Sequence, residues 1–415
     1  MTITSNASNA LGIYIHIPFC IQKCGYCDFL SFTGSSRGDR KRYVDGLLEE
    51  ILYWGGEHDE LADSLRGRPV DTIFIGGGTP SLLEASEIDR LLGALARNFK
   101  LNTATEITIE ANPGTINREQ TASYRSAGVN RLSLGAQSFY ANELMILGRV
   151  HSAADVRQAV ADSRAAGFDN INLDLMFGIP GQSLKTWGDT LEQAFSLQPE
   201  HLSFYSLEIE DGTPFGAAFA TGQLQAPCPE TERQMYYEAR WRLESNGFEV
   251  YEISNAARSG RQCRHNLKYW TMQEYLGIGL GAHSYIGRNR LVNPTEMSAY
   301  LAMVEQPDAV GEAMTAVRGS PATDKKTQDY RMRQPNTEAD DQSDYLFTGL
   351  RLTRGLERAH FHNRYSVYPE DIWGAGIRRQ LALGRLEYDA DRSCLRLTMK
   401  GRDLMNQVLL DLFDS

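Results

Sequence analysis

Between residues 11 and 207 the chain alternates short apolar runs with stretches of helical periodicity. The runs fall at 11–17, 70–75, 106–110, 131–135, 170–176 and 201–207, and helical spacing recurs at 40–54, 84–98, 118–127, 153–166 and 184–197, with a further amphipathic stretch at 231–245 beyond the last run. Runs of five to seven residues with Leu, Ile, Val or Phe recurring read as strands, and the longer periodic stretches read as helices. Gly128 and Gly167 stand where two helices should stop, and Ala111-Asn112-Pro113-Gly114 is a turn signal after the third run. Six such units predict parallel strands joined by right-handed crossovers. The expected fold class is α/β, a partial (β/α)6 TIM-like barrel. That architecture makes a checkable demand: functional groups should sit just past the C-terminal ends of the strands.

The sequence meets it. Cys20, Cys24 and Cys27, spaced C-x3-C-x2-C, follow the first strand. Three thiolates at this spacing fit three irons of a four-iron cluster and leave the fourth iron open for another ligand. A zinc site with a distant fourth ligand, or three unrelated buried cysteines, are the alternatives. Gly76-Gly77-Gly78-Thr79-Pro80 follows the second strand, as either a tight turn or backbone bared for a ligand. Glu110, Gln137, Asp174 and Glu208 close the third to sixth strands, and Arg149 lies in the connection after the fourth. Carboxylates at such positions can also be plain helix caps or exposed charges. His16, inside an apolar strand, reads as a satisfied core residue before it reads as a catalytic group, and no catalytic residue is assigned.

Composition narrows the class. The 415 residues have room for two or three domains, with 42% hydrophobic and 23% charged residues. No apolar run approaches the ~20 residues of a membrane span. Residues 1–10 lack the basic and apolar regions of a secretory signal and are read as a tag or disordered segment. Six cysteines, three of them clustered, suit a reducing cytoplasm. A net charge of −11 argues against a nucleic-acid partner.

The phrase Tyr14-Ile15-His16-Ile17-Pro18-Phe19-Cys20, followed by Cys24, Tyr26 and Cys27, resembles the opening of radical S-adenosylmethionine (SAM) enzymes. Within that superfamily it resembles the branch shared by oxygen-independent coproporphyrinogen III oxidases and HemW-type haem chaperones, from about Leu11 to Phe413. The resemblance implies a [4Fe-4S] cluster on Cys20, Cys24 and Cys27. SAM would bind the open iron and be split reductively to a 5′-deoxyadenosyl radical. It further implies SAM contacts from Tyr14, Tyr26, Gly77, Gly78, Thr79, Glu110, Gln137, Arg149 and Asp174, through the phrases IEANPG, SLGAQSF, LGR and NLDLMFGIPGQ. Glu208 joins them by its place after the sixth strand, and His283, in a family-like glycine-rich return, is a second-rank candidate.

A second informative stretch is Cys263-Arg264-His265-Asn266-Leu267-Lys268-Tyr269-Trp270. A histidine beside two large aromatics can ligate and cover haem, or it can be a packed loop bonded internally. His265-Asn266-x-x-Tyr269-Trp270 matches the HNxxYW signature of the chaperone branch, which implies haem binding by His265, Asn266, Tyr269 and Trp270. The oxidase branch lacks that signature and carries a further cysteine where Phe29 stands here. The expected function is therefore a haem chaperone holding a cluster, SAM and haem and passing haem to respiratory acceptors. Oxygen-independent coproporphyrinogen III oxidase is the alternative. The resemblance implies an electron donor such as a flavodoxin or ferredoxin, and a cytoplasmic location with peripheral attachment to the inner membrane face left open. The expected domains are the barrel (11–225), an extension with the haem motif (226–305), a linker or mobile insert (306–343), and a C-terminal winged-helix-like α+β domain (344–415).

Overall fold

The computed structural model describes residues 10–56, 60–225, 228–306, 313–315 and 331–414, of which the side chains of 313–315 and 331–334 are not considered. Six parallel strands lie in sequence order: β1 (Leu11–Ile17), β2 (Pro69–Gly77), β3 (Lys100–Ala111), β4 (Arg131–Gln137), β5 (Ile171–Phe177) and β6 (His201–Ser206). β6 does not return to β1, so the barrel is open, as expected. On the β6 side the sheet continues antiparallel through β8 (Asn255–Ala257) to β7 (Glu249–Glu252). On the β1 side it gains a parallel strand, β9 (Tyr275–Ile278), then antiparallel β10 (His283–Ile286) and β11 (Asn289–Val292).

The six strands largely alternate, with register shifts between Leu11/Gly12, Val70/Thr72 and Leu134/Gln137. One face carries Ile13, Ile15, Ile73, Ile75, Leu132, Leu134, Ile171, Leu173, Leu202 and Phe204, all buried in the main core with the surrounding helices. The other face carries Tyr14, His16, Thr72, Glu106, Thr108, Glu110, Arg131, Ser133, Asn172, Asp174, His201 and Ser203. Ordinary TIM barrels fill that interior with branched apolar side chains. Here it is a hydrogen-bonded polar interior: Asn172 donates to Ser133 (2.7 Å) and Asp174 (2.8 Å), and His201 Nδ1 lies 2.6 Å from Asn172 Oδ1. The crossover helices start where capping predicts, with reciprocal caps at Ser36, Ser152 and Ser183.

Two boundary expectations need correction. Ala10 belongs to the fold: it is buried, and its carbonyl accepts from Lys268 Nζ at 3.0 Å. The expected linker is shorter than 306–343. β12 (Ala313–Thr315) and β13 (Arg331–Pro335) extend the sheet beyond β11, and a helix runs over Glu338–Gly349 from a capping box at Thr337. The sparsity of large apolar residues hid both, because strand pairing supplies the order there. Residues 307–312 and 316–330, like residues 1–9, lie outside the described residues.

The C-terminal region has the order helix (Glu338–Gly349), β14 (Leu356–Glu357), helix (Arg358–Tyr365), helix (Pro369–Ala382), then β15 (Leu386–Tyr388) and β16 (Cys394–Leu397). The sheet order β14-β16-β15 is that of a winged helix, and the helix Met405–Phe413 closes it. Its own apolar core gathers Tyr345, Leu346, Phe361, Trp373, Leu395 and Leu409. A buried polar joint fixes it to the barrel. Asp341 accepts from Tyr365 (2.7 Å), Arg364 (2.9 Å) and Tyr285 of β10.

Candidate cluster and ligand cavity

A cavity of about 1130 Å³ opens at the C-terminal ends of the strands. It exceeds the roughly 300–1,000 Å³ of common ligand pockets, so it has room for more than one small molecule. Cys20, Cys24, Tyr26, Cys27, Gly77, Gly78, Thr79, Glu110, Gln137, Arg149, Asp174 and Glu208 all line it. Thus the residues expected at separate strand ends share one space.

The cysteine loop is short and tied at its base. Cys20 N–H donates to Phe32 O at 2.9 Å, and Phe32 N–H donates to Pro18 O at 2.7 Å. Gly25 is required between the second and third cysteines, because a Cβ there would lie 2.5 Å from the Phe215 ring. The three thiols are free and half-buried. Two donors reach sulfur: Thr79 Oγ1 to Cys20 Sγ and Arg149 Nη1 to Cys24 Sγ, each at 3.6 Å. Burial raises the Cys27 thiol, opposed by a backbone N–H and by Lys23. Among the described residues no three His, Cys, Asp or Glu side chains converge as the ligands of a single ion would. Three thiols from one loop, with a hydroxyl and a guanidinium donating to two of them, fit a cluster held at three corners.

Gly77 and Gly78 of the triplet line the cavity and also pack closely against β1. A Cβ on Gly77 would meet the His16 ring at 2.5 Å, and one on Gly78 would meet Phe19 O at 2.8 Å. The glycines let β2 end against β1 and the cluster loop. Gly77 has φ +114° and its N–H donates to Glu110 Oε2 at 3.0 Å. Glu110 is pushed up to about 7, first by burial and then by Asp174 beside it. Asp174 is raised too, chiefly by burial, while Asn172, Ser203 and Ser133 hydrogen-bond to it.

Tyr14 stands back from this cavity. It lines a smaller inner chamber of about 180 Å³ with Glu110, Arg131, Asn172, Asp174, His265 and Tyr269. Its hydroxyl lies 2.9 Å from His16 Nδ1, while His16 Nε2 lies 2.9 Å from Leu30 O, so His16 is engaged on both nitrogens.

The segment Arg264–Trp270 is a helix. Its first N–H groups are capped by Glu106 of β3, which accepts from Arg264 N (3.1 Å) and His265 N (3.2 Å). Asn266, Tyr269 and Trp270 line the main cavity, together with the cysteines. His265 lies behind them. It is 1% exposed, with Nδ1 at 2.9 Å from Thr72 Oγ1 and Nε2 at 2.9 Å from the Tyr269 hydroxyl. Burial, Lys268 and Arg131 push His265 down to about 3, so its imidazole is neutral at physiological pH. His283 is exposed on β10 and is not brought to the cavity. Phe29, where the oxidase branch has a cysteine, is 63% exposed at the cavity edge.

The sequence reading overlooked Arg131, Ser133, Asn172, His201 and Ser203. Their signal was the alternation itself, polar residues at every second position of β4, β5 and β6. It also overlooked Arg351 and Arg402, which reach the cavity from the C-terminal region.

An open parallel barrel with three free thiols and carboxylates at its mouth is a radical SAM architecture, and the family model described as the Radical SAM superfamily matches residues 14–194. Heme chaperone HemW of Bacillus subtilis (strain 168) is 36% identical over 397 residues, covering 95% of this chain and 97% of that protein. Heme chaperone HemW of Escherichia coli (strain K12) is 37% identical over 405 residues, covering 97% and 98%. The chain belongs to the radical SAM superfamily and, within it, to the HemW family. Its fold also matches that of coproporphyrinogen III oxidase (HemN) from Escherichia coli, described as a radical SAM enzyme, with a TM-score of 0.78, 22% identity, and coverage of 99% of this chain and 91% of that one. Membership implies a [4Fe-4S] cluster and SAM. Among the described residues no helix is long and apolar enough to cross a membrane.

Proposed function

We propose that this chain is a haem chaperone that binds a [4Fe-4S] cluster, SAM and haem in the main cavity and passes haem to an acceptor protein. The observation that carries it is the sharing of one cavity by the three thiols and by Asn266, Tyr269 and Trp270. Cys20, Cys24 and Cys27 would hold the cluster, which when reduced can supply an electron to SAM. Tyr26, Gly77, Gly78, Thr79, Glu110, Gln137, Arg149, Asp174 and Glu208 would hold SAM beside it, with Tyr14 supporting from the inner chamber. Tyr269 and Trp270 offer aromatic faces to an apolar macrocycle. His265 supports that wall through the Tyr269 hydroxyl, and ligation of iron by its ring would give up one of two hydrogen bonds, about 1 kcal/mol net. The acceptor is a respiratory haem protein, and the electron donor is of the flavodoxin or ferredoxin kind.

The test is haem titration under anaerobic conditions, followed by absorbance, into the wild type and His265→Ala. The account expects weakened binding and an altered spectrum in the variant. Unchanged affinity and spectrum remove His265 from the site. Formation of protoporphyrinogen from coproporphyrinogen III, SAM and a reductant would replace the chaperone reading with the oxidase.

A further inference from the structure

One edge of the main cavity carries two arginines and an indole with hydrogen-bonding capacity to spare. The segment after the helix Glu338–Gly349 docks on β7: Thr353 N–H donates to Tyr251 O at 2.9 Å, and Leu352 bridges to Glu252. This lays the Arg351 guanidinium over the Trp270 ring, 4.5 Å from its centroid. Arg351 Nε and Trp270 Nε1 are buried and have no hydrogen-bond partner. The Glu252 carboxylate lies 3.6 Å from Arg351, too far for a hydrogen bond, and its Oε2 is unpartnered although the residue is fully buried. Arg402 also lines the cavity. Its bonds are weak ones, to Thr353 O at 3.4 Å and Met399 Sδ at 3.5 Å, and among the described residues no carboxylate pairs with it. The arginines near it are already paired, Arg240 with Glu244 and Arg396 with Glu387.

Guanidinium groups with donors to spare beside half-buried aromatic rings are the parts needed to bind a flat apolar ligand that carries carboxylates. We infer that Arg351 and Arg402 form a carboxylate-binding edge, so that the ligand seated on Tyr269 and Trp270 is recognised by its acid side chains, which in haem are the two propionates. This rests on the reading that haem occupies the cavity, and it adds what selects and orients the ligand there. It also gives the C-terminal region a task at the site, since both arginines come from it.

The experiment titrates the purified full chain with haemin and, separately, with haemin dimethyl ester, which keeps the macrocycle and removes the acids. Absorbance and quenching of tryptophan emission report binding. A charge-assisted hydrogen bond contributes roughly 1.5–3 kcal/mol, so the wild type should prefer the diacid by about tenfold or more. That ratio should fall towards one in Arg351→Gln and in Arg402→Gln. Equal affinity for the two ligands in the wild type, or an undiminished ratio in both variants, overturns the inference while leaving haem binding in place. If neither ligand binds the wild type, the inference and the haem reading fall together. The wild-type comparison needs no variant, and Arg402→Gln at a half-buried position guards against misfolding of Arg351→Gln.

Discussion

The cysteine wall of the cavity and its aromatic wall are put together differently. Cys20, Cys24 and Cys27 come from one short loop, locked by bonds within residues 18–32 and by the glycine-rich end of β2. The aromatic wall is a helix capped by Glu106 of β3, backed by Thr72 of β2 and overlaid by Arg351 of the C-terminal region. The first wall is local, and no disulfide ties its sulfur atoms. The second is non-local, and its histidine is already satisfied. The difference teaches that one wall depends on a contiguous motif and the other on contacts between distant segments. Two of the three thiols accept a single hydrogen bond each, whereas His265 is engaged on both ring nitrogens.

The largest expected effect separates the walls outright. Cys24→Ser should abolish stoichiometric cluster reconstitution, measured as iron and sulfide per chain, while leaving the far-ultraviolet circular dichroism unchanged. Trp270→Ala should leave the iron and sulfide content at the wild-type level and weaken haem binding. Loss of cluster in Trp270→Ala would join what the comparison keeps apart.

Next in size is the joint under the aromatic wall. Asp341 is fully buried and holds Arg364, Tyr365 and Tyr285. Asp341→Ala leaves a cation uncompensated and should cost about 3–5 kcal/mol in denaturant unfolding. It should loosen the C-terminal region and lower haem affinity with little change in cluster content.

How much of this was legible follows the same division. The cysteine loop and the strand-end carboxylates were readable because each motif is contiguous and the barrel rule places strand ends together. β1 was readable to the residue because Leu11, Ile13, Ile15 and Ile17 mark every second position. The partners of His265 were not, since Thr72 is distant in sequence and only folding sets it 2.9 Å from the ring. β9 and β13 are short and owe their order to neighbours across the sheet. The polar interior was visible in principle as the alternation of Arg131, Ser133, Asn172, Asp174, His201 and Ser203 with apolar residues. Attention to strand ends hid it. Arg351 carries no local signal at all.

A smaller effect sharpens the SAM side. Glu110 is neutral below about 7 and charged above it. Because its folded pKa is raised, its protonated form favours the fold, and that contribution is complete below the unfolded value and lost as pH rises through about 7. Binding of cationic SAM should run the other way, strengthening by up to about tenfold between pH 6 and 8 as the carboxylate ionises. Glu110→Gln should flatten that dependence in calorimetry, and a profile identical to the wild type would assign it elsewhere.

The central claim is that Cys20, Cys24 and Cys27 hold a cluster at three corners and leave the fourth iron facing the cavity that takes SAM. Electron paramagnetic resonance of the anaerobically reconstituted, reduced protein tests it most directly. The account predicts a [4Fe-4S]+ signal whose g-values shift when SAM is added. A signal unmoved by SAM, or a protein that takes up zinc on these thiols in place of the cluster, would contradict it.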